Sequence, residues 1–136
     1  MCLLDEVLAW DTERIRCVGR SHRDPGNPLR ARGRLGIACG IEYAAQAMAV
    51  HGGLVAATSP LPRDRSPPAG YLAGVRGVRT YVHRLDDIGD DLLCDAVRAA
   101  GDETSALYDF TLTAGGATLL TGRATVILDA GDRISS

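Results

Sequence analysis

The chain has 136 residues, 46% of them hydrophobic and 24% charged, which fits one domain with one core and an ordinary soluble composition. The formal net charge of −2 argues against a protein that binds nucleic acid or another polyanion. All 15 basic residues are arginine, so Schiff-base chemistry and a P-loop lysine are excluded. We therefore predict a single domain over residues 1–136.

The cysteines and the apolar runs bound the cellular context. Four cysteines are widely spaced and form no CxxC pair, so we expect buried free thiols and neither a zinc site nor a disulfide framework. No apolar run approaches the roughly 18 residues that cross a membrane. No basic segment followed by an apolar stretch opens the chain, so we expect no secretory signal and a cytoplasmic protein.

The first predicted element is a β-hairpin. The segments LLDEVLAW (3–10) and RIRCVGR (14–20) are strand-like and flank the turn DTE. The segment SHRDPGNPLRARGRLG (21–36) follows, and its prolines, glycines and arginines predict a loop. It is long for a loop in a compact domain, and such loops tend to be functional or mobile.

A single long helix is predicted over Ile37–Val55, ended by the pair Gly52-Gly53. It is apolar almost all round, so we expect it to be largely buried. With each residue rotated by about 100° from the last, the helix has two apolar faces, and a narrow stripe lies between them. That stripe consists of Glu42, Gln46, Ala49 and Gly53. Its small side chains leave room for a ligand or a partner backbone.

The rest of the chain is strand-like after a proline-rich loop over 58–70. Tyr108, Phe110 and Leu112 alternate with polar residues, which is typical of a half-buried strand. Strands are predicted over 71–85, 106–116 and 117–129, with 91–101 either a strand or a short helix, and the last residues as a frayed tail. This order predicts an α+β fold in which an antiparallel sheet wraps the helix.

Glu42 is the residue that most needs an explanation, because a carboxylate within an apolar helix is costly unless it is paired or functional. Burial would raise its pKa and favour the protonated form that a general acid requires. Alternatively, Glu42 interacts with the positive end of the helix dipole or pairs with a loop arginine. The helix by itself leaves both interpretations open.

The motifs resemble those of a known family. LLDEVLAW, its hairpin, a histidine-containing loop and the helix motif IEYAAQ (41–46) are similar to the bacterial β-hydroxyacyl-acyl-carrier-protein dehydratases of the hotdog fold. Those enzymes open with an LLLDRV-like strand and carry LEAMAQ or LDAMWQ in the helix. The resemblance covers the whole chain and implies a single hotdog domain, with the sheet wrapped around one long central helix. It places Glu42 at the catalytic carboxylate and Gln46 at the family's glutamine.

The loop before the helix departs from the family pattern. SHRDPGNPLRARGRLG stands where the family has GHFPGxPxMPG. His22 directly follows the second strand and is matched to the catalytic histidine. HRDPGNPL with GIEYAAQAMAVHG resembles the divergent branch associated with aryl-polyene and xanthomonadin-type pigment pathways. Met1 aligns with an internal position of typical members, so a short N-terminal segment is expected to be missing.

The resemblance implies dehydration of 3-hydroxyacyl-acyl-carrier-protein thioesters to trans-2-enoyl thioesters, in fatty-acid-like or aryl-polyene pigment biosynthesis. His22 would take the α-proton, Glu42 would protonate the departing hydroxyl, and Gln46 would orient the carboxyl group. Backbone N–H groups near Gly36 and Ile37 would polarise the thioester carbonyl. No metal or cofactor is implied beyond the phosphopantetheine arm that carries the substrate.

The resemblance also implies partners. Its members place the histidine and the carboxylate in different subunits, so we expect a homodimer or a heteromer with another hotdog dehydratase. The loop arginines Arg30, Arg32 and Arg34 would receive the acidic carrier protein or its phosphate, unless they form a solvated basic loop. The other histidines have structural interpretations: His51 would bond the last carbonyls of the helix, and His83 would lie in a strand beside an acidic turn.

Two other functions remain open at this point. In a hotdog thioesterase the helix carboxylate would activate water or attack the thioester, and His22 would be dispensable. In a non-catalytic hotdog subunit the chain would bind acyl groups or stabilise a catalytic partner. An imidazole turned to solvent, with Glu42 paired to an arginine, would favour the non-catalytic subunit.

Overall fold

A computed structural model of the chain describes residues 2–58, 69–102 and 104–129. Within them, six antiparallel strands form one sheet in the order β1-β2-β4-β5-β6-β3, and one α-helix packs against it. The strands are β1 (Glu6–Trp10), β2 (Arg14–Gly19), β3 (Ala69–Thr80), β4 (Leu92–Gly101), β5 (Ser105–Ala114) and β6 (Ala117–Asp129), and the helix is α1 (Gly40–Ala57). The predicted α+β arrangement is confirmed.

The N-terminal hairpin forms as predicted, with Trp10 opposite Ile15. Asp11 sets the turn, because its Oδ1 atom accepts hydrogen bonds from the backbone of Glu13 (2.8 Å) and Arg14 (2.9 Å). The first strand begins at Glu6 rather than at Leu3, although Leu3 is buried.

The C-terminal strands pair as predicted. Tyr108, Phe110 and Leu112 are buried and face the helix side of the sheet. The β5–β6 turn places both of its glycines at positive φ, 57° for Gly115 and 82° for Gly116, as a tight hairpin turn requires. The ambiguous segment 91–101 is a strand, β4, which pairs with both β2 and β5. Its alternate side chains are buried, and this outweighs the weak strand preference of its alanines.

The helix differs from its prediction at both ends. A short 3₁₀ helix, Ile37–Cys39, precedes α1, and α1 continues through Gly52-Gly53 to Ala57. Glycine at these positions weakens a helix without ending it, and Leu54, beyond the pair, packs against the core. The predicted stop at Gly52-Gly53 was therefore wrong.

Only one face of α1 is buried. Tyr43, Ala44, Ala47, Met48 and His51 lie on that face with Gly40, at the spacing of one helical stripe. On the other side Glu42, Ala49 and Val50 are exposed. The expectation that the helix is largely buried all round was wrong for the single chain, and the exposed face remains open to a ligand or a partner.

The strand predicted over 71–85 ends earlier than expected, and most of the loop predicted before it lies outside the described residues. The strand predicted over 71–85 is β3, and His83 lies after it in the turn that leads to β4. Most of the loop predicted over 58–70 and all of the tail after 129 fall outside the described residues, while 69–70 belong to β3. β1 and β3 form the two edges of the sheet.

The cysteines are all free, as predicted, but they differ in exposure. Cys17 and Cys94 are buried and directly opposite each other on β2 and β4. Cys39 is half-buried and Cys2 is exposed, so the prediction that the thiols are buried was wrong for these two. Burial raises the pKa of Cys17 to about 11, which keeps this thiol protonated near neutral pH.

Candidate active site

His22 lies in a one-turn 3₁₀ helix, Ser21–Arg23, directly after β2, and its side chain has 0% exposure. Its Nε2 atom is 3.1 Å from the carbonyl oxygen of Ile88 and 2.9 Å from that of Asp90. Carbonyl oxygens only accept hydrogen bonds, so Nε2 must carry the proton. The neutral imidazole therefore has its lone pair on Nδ1.

The Nδ1 atom of His22 is buried and has no hydrogen-bond partner among the described residues. Burial lowers the pKa of His22, against the opposing effect of the hydrogen bonds to the carbonyls of Asp90 and Ile88. The ring is consequently neutral near pH 7. A neutral imidazole with a fixed tautomer and an unused lone pair is chemically suited to accept a proton.

A buried hydrogen-bond network joins the His22 loop to the helix. Ser21 Oγ donates to the carbonyl of Leu3 (2.7 Å) and lies 2.7 Å from the hydroxyl of Tyr43. Asn27 Nδ2 lies 3.1 Å from the same hydroxyl and 2.9 Å from the carbonyl of Ser21. Asn27 Oδ1 accepts a hydrogen bond from the backbone of Leu29 (2.9 Å). Ser21, which precedes the candidate base His22, is thus hydrogen-bonded to Tyr43, which follows the candidate acid Glu42.

Glu42 occupies the first turn of α1, beside Tyr43, and is exposed. It forms no ion pair with any arginine in the described part of the chain, so the predicted alternative of a loop salt bridge is not realised there. A carboxylate in the first turn does interact favourably with the helix dipole. The apolar pocket expected around Glu42 is not supplied by the described residues of its own chain.

The two backbone groups predicted to polarise a substrate carbonyl differ from each other. The Ile37 N–H donates to the carbonyl of His83 (3.0 Å), so it is not free to bind a substrate, and this part of the prediction was wrong. Burial raises the pKa of the Cys39 thiol, and a backbone hydrogen bond from Gly36 opposes this effect, so the Gly36 N–H is directed at Cys39. A short antiparallel bridge between Gly36 and Arg84 holds this segment against the turn before β4.

Gln46 lies one turn after Glu42 on the same stripe, as the sequence predicts. Its Oε1 atom accepts a hydrogen bond from the backbone of Leu3 (2.7 Å), which anchors the segment before β1 to the helix. That structural role was not predicted. The orienting role of Gln46 towards Glu42 stays a prediction.

The three loop arginines fall into two groups. The Arg30 guanidinium donates to the carbonyls of Gly33 (3.0 Å) and His22 (3.1 Å), so much of its hydrogen-bonding capacity serves the loop itself. Arg32 and Arg34 are exposed on a tight turn, in which the Ala31 and Arg34 backbones bond each other in both directions. Arg32 and Gly33 take positive φ there, at 53° and 76°.

His51 was assigned to the wrong partners. It is buried, with Nδ1 2.6 Å from the hydroxyl of Tyr108 and Nε2 2.8 Å from the carbonyl of Asp11. It therefore connects α1 to the β1–β2 turn and to β5 instead of closing the helix C-terminus.

Several important residues were missed by the sequence reasoning. Asn27 is one of three buried polar residues in the described part of the chain, with His22 and His51. A single asparagine in a Pro-Gly loop gives no sequence signal of burial. Tyr43 adjoins Glu42 and could have been recognised, since a tyrosine on a buried face needs a partner for its hydroxyl. No cluster of side chains suited to a metal occurs among the described residues, and no helix there is long and apolar enough to cross a membrane.

A protein-family model described as ApeP-like dehydratase matches residues 1–133. Among solved structures, the chain is similar to the dehydratase heterocomplex ApeI:P from Xenorhabdus doucetiae, with 25% identity and a TM-score of 0.83. That alignment covers 98% of this chain and 86% of the other.

Two thioesterase structures share the fold at lower identity. A mutant thioesterase from Pseudomonas aeruginosa has 13% identity and a TM-score of 0.65, over 90% of this chain and 79% of the other. A thioesterase from Haemophilus influenzae has 10% identity and a TM-score of 0.64, over 92% of this chain and 78% of the other. These likenesses establish the predicted hotdog fold only. No protein of curated function matches the sequence.

Proposed function

Because this chain belongs to the ApeP-like dehydratase family, we propose that it removes water from 3-hydroxyacyl thioesters carried on an acyl carrier protein. The product would be a trans-2-enoyl thioester, in fatty-acid-like or aryl-polyene pigment biosynthesis. The observation that carries this proposal is the buried His22 imidazole. Its Nε2 is held by two carbonyls, and its Nδ1 has no partner in the described part of the chain.

His22 Nδ1 would take the α-proton, and the electrons of that C–H bond would form the new double bond. The bond from the β-carbon to its hydroxyl would break, and Glu42 would donate the proton with which the hydroxyl leaves as water. Nδ1 has no contact with solvent in the single chain, so the thioester must displace the groups that cover it. The Gly36 N–H would donate to the thioester carbonyl in place of the Cys39 thiol.

Glu42 would act as the acid only where water is excluded from it. Its exposure in the single chain, together with that of Val50 at 37%, supports a second subunit that covers this face. His22 and Glu42 share no hydrogen bond within the described chain, which fits a site that takes one residue from each subunit. A heteromer with another hotdog dehydratase is the assembly that the Xenorhabdus heterocomplex supports.

The reaction is tested with the wild-type protein and a 3-hydroxyacyl carrier protein, followed by mass spectrometry of the intact carrier. We expect the acyl carrier to lose the mass of one water. Release of free acid and unloaded carrier would instead identify a thioesterase. An unchanged carrier, with the protein alone and with its partner dehydratase, would identify a non-catalytic subunit.

A further inference from the structure

Two consecutive side chains, His22 and Arg23, bind four consecutive residues of one loop. His22 Nε2 contacts the carbonyls of Ile88 (3.1 Å) and Asp90 (2.9 Å). The Arg23 guanidinium donates to the carbonyl of Gly89 and, at 2.6 Å, to the carboxylate of Asp91. The acceptors alternate along the loop, so the 88–91 segment cannot shift without breaking contacts to both side chains.

The same carboxylate is bound from both sides of His22. Asp91 accepts from Arg23 at one oxygen and from Arg20 Nε (3.1 Å) at the other. Arg20 is in turn fixed to the first hairpin, since its backbone N–H donates to Asp5 Oδ2 (2.6 Å). Arg20 at the start and Arg23 at the end of the 3₁₀ helix that carries His22 therefore bind the same carboxylate. That carboxylate belongs to the residue directly before β4, which begins at Leu92.

We propose that Arg23 is a positioning residue for the dehydration base. It holds the 88–91 loop so that the carbonyls of Ile88 and Asp90 keep the proton of His22 on Nε2 and leave Nδ1 as the acceptor. This inference rests on the proposed function. An imidazole whose two acceptors can move takes the other tautomer or rotates, and a base displaced from its reacting proton loses rate steeply.

The contribution of this ion pair to stability is expected to be small. The side chains of Arg23 and Asp91 are 38% and 40% exposed, and ion pairs as exposed as these contribute little to folding. A merely structural role would therefore change neither the tautomer of His22 nor the turnover number. The positioning role changes both.

The chain offers a matched control for the test. Arg16 forms an equally close pair with Asp95, at 2.7 Å, on the neighbouring part of the β2–β4 ladder and away from His22. Arg23→Gln and Arg16→Gln each remove one exposed guanidinium from one ion pair. The two variants are compared with wild type by steady-state kinetics of water loss and by NMR of the imidazole nitrogens. The NMR signal of His22 is identified as the one that is lost in His22→Asn.

We expect Arg23→Gln to lower kcat about 10- to 100-fold with little change in KM, and to give a mixture of His22 tautomers. Arg16→Gln should match wild type in both readouts. The inference is overturned if Arg23→Gln keeps the single Nε2–H tautomer, or if the two variants lose rate equally. A wild-type protein without dehydratase activity would contradict the proposed function, while the NMR comparison would still decide the positioning of His22.

Discussion

At the scale of single residues, the site depends on how the polar atoms of His22 are used. One ring nitrogen has two backbone acceptors and the other has no partner in the described chain, while the whole ring is shielded from water. A buried polar atom without a partner is unfavourable for folding, and such atoms are retained most often where function needs them. This asymmetry supports the proposed role of His22 more directly than its position in the sequence does.

The burial of His22 predicts a pH dependence of stability. Burial lowers the pKa of His22 from its usual value of 6.5, so the unfolded chain binds a proton at a pH where the folded chain does not. The free energy of unfolding should fall as the pH decreases below about 6.5 and stop falling below the folded pKa. Urea unfolding of wild type and His22→Asn across this range should show a weaker dependence in the variant. Identical pH dependences would contradict the account, and exposed His83→Asn serves as the control.

Tyr43→Phe tests the network between loop and helix. The change deletes a hydroxyl that Asn27 and Ser21 contact, and it leaves the buried Asn27 amide with one partner fewer. We expect a loss of about 1–2 kcal/mol in the free energy of unfolding, measured by chemical denaturation. Tyr81→Phe, at a tyrosine that is 57% exposed, should be neutral. Equal effects of the two substitutions would mean that the network does not stabilise the loop.

The sequence was sufficient for His22 and Glu42 as candidates, because the helix motif and the position after β2 are local features. It was insufficient for Arg23 and Asp91, whose roles depend on partners far away in the chain. The Asp91 carboxylate bonds a residue 68 positions earlier. No periodicity or spacing in the sequence encodes such a contact.

At the scale of elements, the start of α1 is set by a glycine. A Cβ atom on Gly40 would lie 2.9 Å from side-chain carbons of both Leu112 and Leu120, so the helix can approach the sheet here only without a side chain. This contact fixes the helix two residues before Glu42. The sequence does not reveal it, since Gly40 reads as one more small residue in an apolar run.

Replacing glycine by alanine should therefore have opposite effects on the free energy of unfolding at two positions of α1. Gly40→Ala should lower the free energy of unfolding by about 1–3 kcal/mol through overpacking. Gly53→Ala meets nothing within 4 Å and should raise it by up to about 1 kcal/mol, because alanine favours a helix. Thermal or urea unfolding of the two variants checks both signs. Stabilisation by Gly40→Ala would show that the helix start is not tightly packed on β5 and β6.

The sequence predicted which helices and strands exist better than it predicted the residues at which they begin and end. Strands β5 and β6 were located closely because alternating burial and a Gly-Gly turn act together. The helix end was misplaced because packing of Leu54 against the core outweighs the helix-breaking tendency of two glycines.

At the scale of the whole molecule, the chain offers surfaces for partners. The exposed side of α1 lies beside Glu42, and β3 leaves one edge of the sheet unpaired by the described strands. The exposed Arg32 and Arg34 project from a tight turn in the loop that also carries His22. A charged turn near the candidate site is suited to an acidic carrier protein.

The charge of this turn is tested by reversal. Arg32→Glu with Arg34→Glu should weaken binding of the carrier protein several-fold and reduce the dependence of binding on salt, because exposed charges at an interface steer association. Titration at two ionic strengths measures both effects. Arg123→Glu, on the outer face of β6 beside Asp109, is the control and should bind as wild type does. Unchanged binding by the double variant would remove these arginines from the interface.

The central claim is that His22 and Glu42 are the base and acid of a dehydration. The most direct measurement is the rate of water loss from a 3-hydroxyacyl carrier protein by wild type, His22→Asn and Glu42→Gln, each shown to be folded by circular dichroism. We predict that each variant loses at least about 100-fold in rate, as the removal of a general base or acid does. A folded variant of either residue that turns over at the wild-type rate would contradict the account.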